Sequence, residues 1–277
     1  MLNLILSIGG VNTMSKYIDV SSHQGTINFE ELKGNVDGII IRAGYGGNNI
    51  DTQFERNVSE CNRLDIPCGA YWFSYAYTVE MAANEAKNLL DAVRPYTLEL
   101  PLAFDYEYDS VRYSKQQGVD PSIGLVRDMT NAFCETIENA GYWCMLYTNR
   151  DYIDTYFGSL AGGRYDLWYA AWPKQVDITN PPCTCGIWQW GSSFVPGING
   201  KVDTNESYKD YPTFLRSQGK NHLESSPEPQ SESIPWYSSA ISWAKDIGIN
   251  DGSRPDDTAT RAEVTQMLYN FYKIYIQ

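Results

Sequence analysis

The 277-residue sequence predicts an α/β protein, an irregular (β/α)5(β)3 TIM-like barrel followed by a small C-terminal helical domain. Three observations predict it. Eight short apolar runs recur between residues 17 and 204, many of them continuous, as in parallel strands buried on both faces. Amphipathic helical segments separate the early runs, whereas the late runs stand too close together for a crossover helix. A polar stretch, residues 217–233, then divides this body from a second aromatic, periodic segment.

The runs are Tyr17–Val20, Gly38–Ala43, Cys68–Ser74, Leu100–Tyr106, Trp143–Thr148, Leu167–Ala171, Ile187–Trp190 and Val202–Thr204. Between them, Thr52–Leu64 places Phe54, Val58, Cys61 and Leu64 on one helical face. Thr78–Val93 is rich in Ala, Glu, Lys and Leu. Pro121–Ala140 carries Ile123, Val126, Met129, Phe133 and Ile137 at helical spacing. From Ala171 to Ile187 and from Trp190 to Val202 only short Pro- and Gly-rich stretches intervene, so loops or hairpins join those strands. An open doubly wound sheet is the alternative. Its phosphate loop is missing, since Gly44-Tyr-Gly-Gly47 is a weak match that reads as a turn.

Composition narrows the function. Lys plus Arg number 21 against 34 Asp plus Glu, a net charge of −13, which argues against a nucleic-acid or anionic-membrane partner. Only two histidines occur, His23 and His222, too few for a catalytic zinc site, and no G-x-S-x-G elbow is present. No cofactor or metal is therefore expected. The six cysteines read mostly as buried thiols, and Cys183-Thr-Cys185 lacks C-x-x-C spacing. Leu2–Ile8 is too short and lacks the basic start of a signal peptide, so residues 1–13 read as an extension. No apolar run reaches transmembrane length.

Barrel active sites lie at the C-terminal strand ends. Asp19 falls near the end of the first run, Asp105 and Glu107 at the end of the fourth, and Asp203 in the last. On a strand, residues i and i+2 share a face with Cα atoms about 6–7 Å apart. Asp105 and Glu107 would then point together into the barrel mouth. Two such carboxylates resist joint ionisation, and one keeps its proton to higher pH. Glycoside hydrolysis uses that arrangement, with one acid for the leaving oxygen and one carboxylate for the anomeric carbon. A D-x-E segment alone also fits a solvated strand end or a cation site. Tyr71, Phe73, Tyr147, Trp168, Trp172, Trp188 and Trp190 flank the strands, and those near strand ends could stack on sugars.

Seven segments occur in a recognisable order: Tyr17-Ile-Asp-Val-Ser-Ser-His-Gln-Gly25, Gly69-Ala-Tyr-Trp-Phe-Ser74, Phe104-Asp-Tyr-Glu107, Met145-Leu-Tyr-Thr-Asn149, Leu167-Trp-Tyr-Ala-Ala-Trp172, Ile187-Trp-Gln-Trp190 and Val202-Asp-Thr-Asn205. Together, over residues 14–215, they resemble glycoside hydrolase family 25, the Chalaropsis-type lysozymes. The resemblance implies cleavage of the β-1,4 bond between N-acetylmuramic acid and N-acetylglucosamine in the peptidoglycan of Gram-positive walls. It casts Glu107 as general acid, Asp105 as its partner, and Asp19 and Asp203 as the other acids of the cleft. Tyr71, Tyr147, Trp172 and Trp188 become substrate contacts, and His23 and Gln24 shape the first loop. Retention of configuration is expected from the family; the spacing of the acids does not show it.

The tail continues the helical pattern. Trp236, Ala240, Trp243 and Ile247 form one stripe, Thr260-Arg-Ala-Glu263 a capping box, and Val264, Met267, Leu268, Phe271 and Ile274 a second stripe. It resembles a single S-layer homology repeat, which implies binding of secondary cell-wall polysaccharide with Arg261 as the anion reader. Such repeats commonly work in threes, so a lone one suggests homo-oligomerisation for avidity, or a tail kept only for solubility or dimerisation.

The expected domains are an extension (1–13), a catalytic barrel (14–216), a linker (217–233) and a wall-binding or oligomerisation repeat (234–277). The expected protein is a phage endolysin, made in the cytoplasm, released by a holin-type pore and acting on the cell wall. The alternatives are a host autolysin, a non-catalytic wall-binding barrel, and another glycosidase such as a chitinase.

Overall fold

The computed structural model describes residues 14–224, 238–249 and 259–275. Residues 1–13, Trp236, most of the expected linker and the Asp251–Asp257 joint lie outside them. The chain forms two compact units that divide after Ser225.

The first unit is the barrel. Its strands are β1 (Ser15–Val20), β2 (Gly38–Tyr45), β3 (Asn49–Ile50), β4 (Cys68–Phe73), β5 (Leu102–Asp105), β6 (Cys144–Asn149), β7 (Asp166–Ala170), β8 (Ile187–Phe194) and β9 (Lys201–Ser207). They run in the order β1-β9-β8-β7-β6-β5-β4-β2, and β1 pairs with β2 to close the ring; β3 only hairpins onto the tip of β2. Neighbours from β1 through β2 to β8 are parallel, while β9 is antiparallel to both β8 and β1. The short β8–β9 connection permits only a hairpin, and that reverses the last strand.

Helices α1 (Phe29–Leu32), α2 (Phe54–Leu64), α3 (Val79–Val93), α4 (Tyr108–Gln116) and α5 (Ile123–Asn139) cover the early strands. After β6, α6 (Arg150–Tyr152) runs into a π-helical turn, Ile153–Phe157. No helix follows β7 or β8. Five covered strands and three bare ones are what the spacing predicts.

Strand alternation sorts the core into two layers. Ile18, Ile39, Ile41, Trp72, Leu102, Phe104 and Leu146 face the helices, against Phe54, Val58, Leu89 and Phe133. Tyr17, Ile40, Ala103, Met145, Trp168 and Ile187 fill the bore. One step up each strand, at i+2, the bore residue turns polar: Asp19 above Tyr17, Arg42 above Ile40, Asp105 above Ala103, Tyr147 above Met145, Gln189 above Ile187. An apolar floor thus carries a polar mouth.

Helix α7 (Tyr211–Ser217) closes the floor with Tyr211 and Leu215, joined by Leu223. Residues 217–224, at the start of the stretch expected to be linker, are tied down here. Asn221 Nδ2 donates to the carbonyls of Leu98 (3.1 Å) and Leu100 (2.9 Å), and its Oδ1 accepts from Trp143 N (2.9 Å). Buried carbonyls at the strand starts need such partners. Tyr211 OH donates to Asp166 Oδ2 at 2.8 Å and lies directly over Gly186.

The second unit holds α8 (Ser238–Asp246) and α9 (Arg261–Tyr275). The capping box forms: Thr260 N donates to Glu263 Oε2 (2.7 Å) and Glu263 N to Thr260 Oγ1 (3.2 Å). Asn270 Nδ2 reaches the Ile249 carbonyl at 3.3 Å. Ala244 is buried, whereas Trp243, Val264, Leu268, Tyr269 and Tyr272 are exposed.

A Cβ at Gly186 collides with the Tyr211 hydroxyl, so Gly186→Ala is expected to destabilise the barrel by about 1–3 kcal/mol. Thermal denaturation of this variant, alone and combined with Tyr211→Phe, checks it; the phenylalanine should recover part of the loss.

Candidate active site

The site is built where the bore turns polar. Asp19 leads β1 into the mouth opposite Asp203 of antiparallel β9. Asp105 ends β5 with Tyr147 of β6 as its neighbour in register. The run expected over Leu100–Tyr106, with Glu107 at its end, is a strand only over Leu102–Asp105; Glu107 caps α4 in an extended conformation (φ −127°, ψ −169°). Its backbone N donates to Ser110 Oγ at 3.0 Å, which starts the helix. The extended backbone preserves the i, i+2 parity, so the Asp105 and Glu107 carboxyls lie close enough to share a proton.

All four acids are held above the usual carboxylate range. Burial dominates for Asp19, with Asp203 next, and pushes it up to about 7. Burial and then Glu107 raise Asp105 well above its ordinary value, and its Oδ1 has no hydrogen-bond partner. Glu107 is raised by burial, against the pull of its contacts with Asp105 and Tyr147. Asp203 is raised by burial alone. The cation facing them is Arg42, whose Nε and Nη2 are committed to Asp51 Oδ2 (2.8 and 2.7 Å) and whose Nη2 also reaches Ser22 Oγ (3.1 Å).

Amides replace the missing cations. Gln189 Nε2 and Asn205 Nδ2 donate to Asp19 Oδ2 at 3.0 and 2.9 Å. Gln189 Oε1 accepts from Tyr147 OH (2.9 Å) and Trp172 Nε1 (3.1 Å), and Asn205 Oδ1 from Trp168 Nε1 (2.7 Å). Each amide oxygen faces a pure donor, so each amide nitrogen must face the carboxylate. Tyr71 and Tyr147 pack edge-on to Trp168, with centroids 5.9 and 4.7 Å apart.

The expected residues thus fall into two groups. Glu107, Asp105, Asp19, Asp203, Tyr71 and Tyr147 converge on the mouth, and Trp172 stands at its rim, 57% exposed. Trp188 stands apart from the acid mouth. It sits on the opposite face of β8 from Gln189, is only 2% exposed, and donates its Nε1 to the Ala171 carbonyl at 2.8 Å. Period-two alternation makes it a support for the Trp172 segment. His23 is exposed beside a cavity of about 400 Å³ lined also by Arg42, Tyr45 and Tyr75. His222 packs on Tyr142 at the barrel floor, away from the acids. Arg261 is exposed at the start of α9 in the second unit.

Four contributors were not singled out from sequence: Gln189, Asn205, Arg42 and Asp51. The two amides carry no charge or nucleophile to mark them. Their signal was positional, since both stand in the Trp-Gln-Trp and Asp-Thr-Asn segments of the late strands.

The family model of glycosyl hydrolases family 25 matches residues 18–198. No curated protein matches the chain in sequence. Among solved structures, the modular autolysin LytC from Streptococcus pneumoniae, determined in complex with a synthetic peptidoglycan ligand, is similar at 30% identity and a TM-score of 0.59. That match covers 72% of this chain and 47% of the autolysin, so the chain spans under half of its length. A family 25 glycosyl hydrolase from Bacillus anthracis has the same fold at 24% identity (TM-score 0.59; 73% and 92% covered). So does the catalytic domain of endolysin ply40 from bacteriophage P40 of Listeria monocytogenes, at 22% identity (TM-score 0.61; 74% and 98% covered). With its model matched over most of the barrel, and its acids gathered at the strand ends, the chain belongs to glycosyl hydrolase family 25.

Proposed function

We propose that the protein is a Chalaropsis-type lysozyme, an N-acetylmuramidase that cleaves the β-1,4 bond between N-acetylmuramic acid and N-acetylglucosamine in Gram-positive peptidoglycan. The proton-sharing Asp105–Glu107 pair carries this reading. The one proton the pair holds passes through Glu107 to the bridging oxygen as the glycosidic bond breaks, which leaves Asp105 ionised. Positive charge then develops at the anomeric carbon, facing ionised Asp105. The carbonyl oxygen of the substrate acetamido group attacks that carbon, and Asp19 and Asp203 orient the group. Water, deprotonated by the Glu107 carboxylate, opens the intermediate with retention and restores the acid. Tyr71, Tyr147 and Trp172 line the sugar path. No step uses a metal or cofactor.

We read residues 14–216 as the catalytic barrel with 217–224 packed onto its floor, the rest of 217–233 as linker and 234–277 as an S-layer-homology-like repeat. Its Arg261 would bind secondary wall polysaccharide, and its exposed apolar residues would join copies of the chain. A phage endolysin, reaching the wall through a holin-type pore, fits this layout.

Glu107→Gln should cut clearing of purified walls by at least ~100-fold, because general acid catalysis is worth that much. Mass spectrometry of parent digests should show muramic acid at the new reducing ends; unchanged clearing by the variant removes Glu107 from its role. Because both members of the pair are raised, one proton stays on it beyond the ordinary carboxylate range. Activity should therefore trace a bell in pH, falling in base as that proton leaves and in acid as a second arrives. Asp19 ionises in the folded state only near 7, far above an unfolded carboxylate, so its contribution to stability is lost as pH rises through that value. Asp19→Asn, whose amide oxygen can accept both amide donors, should melt higher than the parent at about pH 8 and gain little near pH 4, by differential scanning calorimetry.

A further inference from the structure

Past Trp172 the chain makes a long excursion before β8 that shapes an open surface depression. Its volume of about 500 Å³ lies between exposed Trp172, Pro173, Gln175, Asn180 and Pro182 over buried Trp188. Several contacts fix its walls. Buried Trp188 forms the floor and holds the Ala171 carbonyl. Tyr208 OH donates to the Ile178 carbonyl at 2.8 Å. Asp177 Oδ1 is occupied by Thr179 N (3.1 Å) and Thr179 Oγ1 (2.6 Å), which sets the turn. The prolines hold their own φ angles. Trp172, pinned through Nε1 to Gln189, belongs both to this depression and to the amide network of the acids. Among the described residues, the side-chain amides of Gln175 and Asn180 have no hydrogen-bond partner.

We propose that this depression is a distal saccharide subsite. It would take a neutral N-acetylhexosamine unit of the same glycan strand whose scissile bond lies over Asp105 and Glu107. This rests on the hydrolytic reading above. An exposed indole face offers a sugar ring its apolar contact, and two free carboxamides offer paired donors and acceptors, which hydroxyls and an acetamido group also are. The only charge on the lining is the Asp177 carboxylate, which disfavours an anionic occupant such as a stem-peptide acid or a wall phosphate. Because Trp172 is shared, a sugar seated here clamps the wall of the cleft that carries Gln189, and longer strands gain rate as well as affinity.

Peptide-free glycan tetramer, hexamer and octamer substrates test this with the full-length chain. In the parent, kcat/KM should rise with length. In Gln175→Ala/Asn180→Ala the octamer-to-tetramer ratio should drop by ~10-fold, the worth of two hydrogen bonds. The isosteric pair Gln175→Glu/Asn180→Asp, which keeps the shape and removes the donors, should drop it too. An equal ratio in parent and both variants overturns the subsite. Binding is read apart from turnover, by indole fluorescence of Glu107→Gln titrated with octamer. Adding the two alanine changes should weaken Kd by ~10-fold, and an unchanged Kd also overturns it. A chain that binds octamer through these amides yet cleaves nothing refutes the hydrolase reading and leaves the subsite standing.

Discussion

A buried carboxylate without a free cation beside it governs this barrel. Asp19 lies at the bottom of the polar mouth, and the charge of Arg42 is already met by Asp51. Two neutral amides solvate Asp19 instead, and each is oriented from behind by a donor that cannot accept. An ammonium or guanidinium would settle the acid permanently as an anion. Amides stabilise it less, so its ionisation stays responsive to the other acids. Tyr147, Trp168 and Trp172, aromatic in composition, are therefore also polar struts, and their hydrogen bonds matter as much as their ring faces.

Such a mouth is costly to fold, since like charges and a partnerless Asp105 oxygen sit in a desolvated space. The floor offsets the cost. Tyr17, Ile40, Met145, Trp168 and Ile187 pack the bore below, with Tyr211 and Leu215 beneath them. Outside, buried Glu85 of α3 accepts from Ser74 Oγ (2.5 Å) and Tyr75 N (3.0 Å), while Ser74 N donates to the Asp105 carbonyl (2.8 Å). The segment after β4 thus supports the catalytic strand from the helix side.

Much of this was legible in the sequence because the period of a strand is short and strict. The eight strands, three long helices, bare late strands and convergent acids follow from local pattern. What stayed hidden depends on distance. Asn205 and Asp19 are separated in sequence by nearly the whole barrel, and only closure of β1 against β9 brings them together. The reversal of β9 follows from the short turn, but its role as the closing strand does not. Trp188 and Trp172 looked alike in sequence; parity on β8 buried one, while the other lies beyond the end of β7. Glu107 reached the expected place by another route, as a helix cap.

The reversed β9 has a topological result. β1 starts at the floor, and because β9 runs back down, α7 and Asn221 return there too. Both covalent connections of the barrel therefore leave from its closed end. Among the described residues, neither end of the barrel chain crosses its open face, which leaves the polar mouth to the loops that follow the strands.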